Sequence, residues 1–535
     1  MFAAFLGLVI VVAALLLWPR PAVVALVPEP IIDPRIEAQD VDAGAFAVDE
    51  RFAAALTGHR GHVYFGDLDD VRSRGVLRVL SRNSASGYFL YRGVERGFDF
   101  EVAQQFADGL GVRLEMVVAP TRRDLIPWLL EGRGDLVIAG MSVQSPRADR
   151  VRFSIPYQQG PWVVVVPRSG PAALDMPKLS STDDLGTVAL LVRPSSSALA
   201  RLRALGVPGG LTLVAALETL ESEDLLDEIR LKHKTAAVVE ERVARLELLH
   251  RSDLQIALTL EGDDDAGMAL RKEDTALAAA VDAFIAAHKG TPDWIALYRR
   301  YHEDRRTTAA GADDRRRADK EGRLTPYDEI FRSAAAHVDV KGPGADDVPL
   351  DWRLLAAVAV QESQLDPQAE SGFGPLGLMQ LLPSTATENG CDDPLEPACA
   401  VNAAARYLAR LARQESAPWR ALLPRSDVAG VVDAGFVRVP ADPTRSVALQ
   451  DRVRFALASY NVGAGHVDDA RDLAAQEGLN PDRWFGHVEQ ALLLLEKPRY
   501  YTTTQHGYAR ASETVAYVSE IQSRFDAYVA LTDRR

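Results

Sequence analysis

One carboxylic acid in this chain is placed to do proton chemistry. The stretch LDWRLLAAVAVQESQLDP repeats apolar residues at helical spacing through Leu354, Leu355, Val358 and Leu365, and Asp366-Pro367 closes it as a proline boundary does. Glu362 lies four residues after Val358 and three before Leu365, so its carboxyl group falls on the face that is otherwise apolar. Burying an ionised carboxylate is costly without partners, and the cheaper outcome is a raised pKa and a retained proton. A protonated acid beside a cleft is what cleavage of a glycosidic bond requires. The competing reading is a partly exposed Glu near a helix end, paired with a base.

The loop that follows, AESGFGPLGLMQLLPSTA, sets Ser371, three glycines and Gly-Leu-Met-Gln just past the helix end. Glycines permit close backbone approach, so such a loop can press a sugar against the acid. Second carboxylates are few: Asp366 at the helix end, Glu370 before the glycines, and Glu513 far along the chain. There is no His-Glu-x-x-His string and no Gly-x-Ser-x-Gly elbow, so metal and serine hydrolases have no support and no metal or cofactor is expected. Cys391 and Cys399 share one short loop rich in Asp and Pro, with no His companion that would make a zinc site. A local disulfide in an oxidising compartment fits them, with two buried thiols as the alternative.

The string QESQLDPQAESGFGPLGLMQLLPSTA resembles the signature of the soluble lytic transglycosylase domain, a lysozyme-like helical fold, in which Glu-Ser precedes Ser-x-x-Gly-x-x-Gly-Leu-Met-Gln and Pro-x-Thr-Ala. VNAAARYLARL, FALASYNVGAGHVDDA and ETVAYV resemble its later motifs in the same order. FALASYNVGAGHVDDARDL, NPDRW and YYTTTQHGYARASETVAYV further resemble one branch, the membrane-bound lytic murein transglycosylase F family, whose members put a solute-binding-like domain first. The resemblance implies Glu362 as the only catalytic acid/base. It implies Ser371, Met379, Gln380, Tyr460 and Asn461 along the sugar cleft, with Glu513 and Tyr517 in a late Glu-x-x-x-Tyr motif near it. Core packing is the alternative for Tyr460 and Tyr517, and more so for Met379. The implied substrate is the peptidoglycan glycan strand, cut between N-acetylmuramic acid (MurNAc) and N-acetylglucosamine (GlcNAc) to leave 1,6-anhydro ends. A lysozyme-type muramidase, or a binding or sensor protein with an inactive lytic domain, are the competitors. Two departures stand out: Pro375 where the family has a small residue, and a longer connection over 416–450.

Nearer the N-terminus, GFDFEVAQQFADGLGVRLEMV, GDLVIAGMSVQSPRADRVRFSIPY and AGMALRKEDTALAAAVDAFIA resemble the two-lobed bacterial solute-binding proteins. In that family an arginine before Phe-Ser-x-Pro-Tyr grips a ligand carboxylate, and Arg147 occupies that position. Its planar fork suits the task. Pro146 replaces an acidic neighbour, and Glu240 stands where an Asp holds a ligand amine. The resemblance thus implies either a pocket for an amino acid or a muropeptide, or a lobe pair kept as a scaffold.

These groups need elements to hold them, and 535 residues are too many for one core. A hydrophobic share of 47% beside 25% charged residues places the chain among ordinary globular proteins. A net charge of -15 excludes a general nucleic-acid binder. Residues 1–18 carry no charge and read as an export signal or membrane anchor, which places the protein on the periplasmic side of the cell envelope, either membrane-associated or secreted after cleavage. Residues 19–66, rich in Pro, Asp and Ala, read as a tether. Over 67–302 short apolar runs alternate with helical stretches, the pattern of an α/β domain. A charged linker covers 303–325, and 326–535 is almost wholly helical. The expected architecture is a two-lobed α/β periplasmic-binding-protein-like domain followed by an all-α lysozyme-like domain.

Overall fold

The computed structural model describes residues 50–57, 63–304 without 92 and 144–146, and 324–532 without 342–346, 373, 417, 420–421, 425–435 and 439–446. The runs VLRVLS and WVVVVP become Val76–Ser81 and Pro161–Pro167, one in each of two five-stranded sheets. The first sheet runs Arg113–Val118, Val76–Ser81, Leu136–Ser142, Ala266–Leu270, Arg152–Phe153. The second runs Leu254–Asp263, Pro161–Pro167, Thr235–Glu240, Ala189–Val192, Thr212–Ala215. Their inner strands are buried almost throughout because helices cover both faces, with Arg78 as a buried polar break in Val76–Ser81. Two segments cross between the sheets and pair with each other, Asp264 N–H donating to the Gly160 carbonyl at 2.8 Å and Ala266 N–H to that of Gln158 at 2.9 Å. The expected two lobes therefore share a two-stranded hinge.

The C-terminal unit is helical. Its centre is Trp352–Ser363, capped by the Asp351 carboxylate on Arg353 N–H and buried at every position from Trp352 to Val360. Pro397–Gln414, Leu449–Val462 and the long Ala511–Thr532 surround it. Cys391 and Cys399 are joined, tying the loop ahead of Pro397–Gln414 to that helix.

The tether expected over 19–66 needs correcting at its end. Glu50–Thr57 is a helix whose Phe52, Ala53 and Leu56 sit in the C-terminal core, with the Phe52 ring edge-on to Phe525 at 6.3 Å. Gln522 Nε2 also donates to the Leu56 carbonyl at 3.3 Å. Eight residues of apolar pattern were masked by Pro- and Asp-rich surroundings. The hairpin Phe89–Tyr91 and Val94–Arg96 enters the same core through Leu90, and the Tyr528 hydroxyl donates to the Gly93 carbonyl. The apolar 1–18 segment and most of the 303–325 linker lie outside the described residues, as does most of 416–450, from which Leu422–Pro424 pairs with Phe436–Arg438. Among the described residues no helix is long and apolar enough to cross a membrane.

Candidate active site

The central helix delivers Glu362 near its C-terminal end, where the buried run stops at Val360 and the side chain is partly exposed. Its Oε1 accepts a 2.6 Å hydrogen bond from the Tyr517 hydroxyl on the C-terminal helix. Burial pushes the carboxyl up to about 7, against the opposing pull of that hydrogen bond. Among the described residues no cation pairs with it. At neutral pH the acid is thus poised between its two forms.

Two tyrosines frame it. Burial, and then the charge of Glu362, lifts the hydroxyls of Tyr517 and Tyr460 well above their usual range, which keeps both as proton donors. Tyr460 donates to the Met379 carbonyl at 2.7 Å and lies 5.3 Å from the Tyr407 ring. Ser363 Oγ donates to the Leu378 carbonyl at 2.8 Å, fastening the helix end to the glycine loop.

That loop folds on itself. Leu376 and Leu381 exchange backbone hydrogen bonds of 3.0 and 3.2 Å, Gly377 N–H donates to the Ala369 carbonyl at 2.8 Å, and Gln380 Nε2 donates to the carbonyls of Ala369 and Gly377, both at 3.0 Å. At Gly377, φ is 70° and a β-carbon would stand 1.9 Å from the Pro394 carbonyl oxygen, so only glycine fits. Gln364, Leu365 and Gln380 hold φ of 53°, 66° and 44°, a left-handed conformation that costs a non-glycine residue about 1–2 kcal/mol. Gln364 takes that conformation as the C-cap that ends the helix.

The structure gathers some expected residues and scatters others. Asn461 is exposed, its Oδ1 accepting from Thr514 Oγ1 at 2.8 Å. Ser371 is half-buried, with its N–H donating to the Pro375 carbonyl at 3.0 Å, so Pro375 contributes its carbonyl and removes no donor the loop needs. The Met379 side chain has no exposed surface, and only its carbonyl serves the site. Glu513, in the first turn of its helix, has a side chain 67% exposed that pairs with Arg510 at 3.7 Å. Asp366 caps its own turn by accepting from Gln368 N–H at 2.9 Å, and Glu370 is exposed. Thr514 was missed by sequence reasoning; its place three residues before Tyr517 was the available signal.

The N-terminal lobes enclose a second cleft. Arg147 and Glu240 line it together with Arg122, Arg193, Trp162, Asp264 and Ser195–Ser197, around some 290 Å³ of empty space, open solvent included. Both are already engaged: Arg147 donates to the Ser195 carbonyl, and Glu240 accepts from Ser222 Oγ at 2.6 Å with Arg242 at 4.0 Å. Beside them Glu221 reaches from the second lobe to Arg82 at 2.7 Å and Arg122 at 2.6 Å on the first, with Arg193 of its own lobe at 3.9 Å. Burial alone would raise this carboxyl, and the three guanidinium groups overturn that and hold it at about 2.

Comparison with known proteins follows the same division. Residues 77–304 match the family described as bacterial extracellular solute-binding proteins, family 3, and residues 345–481 match the transglycosylase SLT domain. Among solved structures the chain is similar to holo ArgBP from T. maritima, at 27% identity, a TM-score of 0.37, and coverage of 43% of this chain and 97% of that one. The membrane-bound lytic murein transglycosylase F of Desulfosudis oleivorans is 30% identical over 457 residues, 85% of this chain and 90% of that protein. The protein of the same name from Stutzerimonas stutzeri is 30% identical over 468 residues, 87% of each chain. With the Glu362–Tyr517 pair in a helical unit, a two-lobed unit ahead of it, and relatives matched across both, the chain belongs to the membrane-bound lytic murein transglycosylase F family.

Proposed function

We propose that the protein cuts the β-1,4 bond between MurNAc and GlcNAc in peptidoglycan glycan strands and leaves 1,6-anhydro-MurNAc ends. One observation carries this: the desolvated Glu362 carboxyl, pushed up to about 7, held by the Tyr517 hydroxyl with no cation paired to it among the described residues. Most glycosidases set two carboxylates to work, one as acid and one as base or nucleophile. Here one must do both jobs, and the nucleophile comes from the substrate. Glu362 gives its proton to the bridging oxygen as the C1–O bond breaks. The resulting carboxylate then takes the proton of the muramyl C6 hydroxyl, whose oxygen closes on C1. Proton count balances and no water enters. Tyr517 steadies the carboxylate between the two transfers, Tyr460 braces the loop through the Met379 carbonyl, and Gln380, Ser371 and Asn461 shape the sugar cleft. Acid–base catalysis of this kind contributes about 10²–10⁴-fold, so strand orientation in the cleft supplies much of the rest. Mass spectrometry of digested sacculi tests the reading: anhydro ends support it, and reducing ends would make the enzyme a muramidase.

The N-terminal unit, taken as 67–302 ahead of a catalytic 326–535, supports a second reading, capture of a small carboxylate-bearing ligand such as an amino acid or muropeptide. Arg147, the Ser195–Ser197 turn at a helix start and Glu240 converge on one cleft, as recognition of a zwitterion requires. Calorimetry on the whole protein with muropeptides and amino acids tests it, and silence across both sets would leave a scaffold. The uncharged 1–18 segment fits attachment of the protein to a membrane of the cell envelope.

A further inference from the structure

Thr514 is a buried polar side chain, 1% exposed, near the start of the C-terminal helix Ala511–Thr532. A threonine in a helix ordinarily turns its hydroxyl back on the carbonyl four residues earlier. Here that contact, to Arg510, is long at 3.4 Å, and the hydroxyl's one proton goes at 2.8 Å to Asn461 Oδ1 on another helix. Asn461 is the next-to-last residue of Leu449–Val462 and is exposed. Its amide nitrogen has no partner among the described residues. Thr514 thus holds the oxygen end of an exposed amide and leaves its two N–H donors unengaged.

Both residues neighbour the acid, by separate routes. Thr514 lies three residues before Tyr517, so the two share a helix face with β-carbons about 5–6 Å apart, and Tyr517 donates to Glu362 at 2.6 Å. Asn461 follows Tyr460, whose hydroxyl feels the charge of Glu362. The bond between Thr514 and Asn461 therefore joins the two helices that carry these tyrosines.

We propose that Thr514 is a positioning residue: by taking the oxygen of Asn461 it fixes the amide so that the Nδ2 hydrogens meet an amide carbonyl of the N-acetylated strand held beside Glu362. The proposal rests on the reading of this chain as a glycan-strand lyase. An N-acetylated strand presents such a carbonyl on every ring, and the Asn461 nitrogen is a donor without a competing partner among the described residues. Without the Thr514 hydroxyl nothing distinguishes the two ends of the amide, and turning it over sets oxygen against oxygen. The loss then falls on holding the strand and leaves the Glu362 proton where it was.

The test uses the full chain and purified glycan strands. Thr514→Val, which keeps the shape of the side chain and removes the hydroxyl, should raise KM about fivefold with kcat within about twofold, the worth of one hydrogen bond. Thr514→Ser should restore KM, and the alkaline limb of the rate profile should stay at about 7 in both. Asn461→Ala, at an exposed position, should raise KM as much, and the double variant no more than Asn461→Ala alone. Binding of the same strands in a Glu362→Gln background, with and without Thr514→Val, reads the contact without catalysis and so separates its failure from failure of the lyase reading, which the product ends decide. An unchanged KM in Asn461→Ala, additive losses in the double variant, or a Thr514→Val loss that falls on kcat alone or moves the alkaline limb would overturn the positioning role.

Discussion

Glu362 and Glu221 are the same side chain under opposite rules. Both are largely withdrawn from water, Glu221 more completely, yet Glu221 is held at about 2 and Glu362 is pushed to about 7. Three guanidinium groups surround the first, and a single tyrosine hydroxyl meets the second. A buried carboxyl becomes a clasp when cations answer it and a proton donor when they do not. The N-terminal unit spends its charge on closing two lobes, while the catalytic unit leaves one acid unanswered beside a cleft.

The largest effect should come from Glu362→Gln. Loss of the proton donor removes at least the roughly 10²–10⁴-fold that acid–base catalysis supplies, read as muropeptide release, with the fold intact. The same variant probes stability. Because the folded acid is raised, wild-type stability is fully present below about 4.5 and declines as pH rises toward about 7. Glu362→Gln should therefore melt higher than wild type at pH 8 and level with it at pH 4. The clasp behaves in the reverse sense. Its stabilisation is present above about 4.5 and is lost as pH falls toward about 2. Glu221→Ala, which leaves the guanidinium groups unanswered, should cost about 3–5 kcal/mol in denaturant unfolding without touching the lytic cleft. Loss of lysis in proportion to that cost would break the separation of the two regions. The smallest effect is Tyr517→Phe. It removes the hydrogen bond that lowers the acid's pKa, so the alkaline limb of the rate profile moves upward and turnover falls about 10-fold, the worth of one such bond.

Much of this site could be read before any coordinates. Periodicity put Glu362 on an apolar face, and the glycine spacing announced a loop that only Gly377 could close. Tyr517 is separated from Glu362 by 155 positions, so its contact came from motif resemblance and not from local physics. The same resemblance named Glu513 but not its partner, since a motif does not record that a residue in the first helical turn pairs with Arg510. Met379 yielded to core packing. The helix at Glu50–Thr57 was hidden because its apolar face is satisfied only by a core hundreds of residues away. Nothing local disclosed the Glu221 clasp, which depends on two lobes meeting.

The account stands or falls on the proton held by Glu362. The pH dependence of kcat/KM on purified glycan strands from pH 4 to 9 reads it directly, since this ratio reports the free enzyme's essential acid. Activity should fall as pH rises through about 7. A plateau persisting to pH 9, or a fall centred near 4.5, would contradict the assignment.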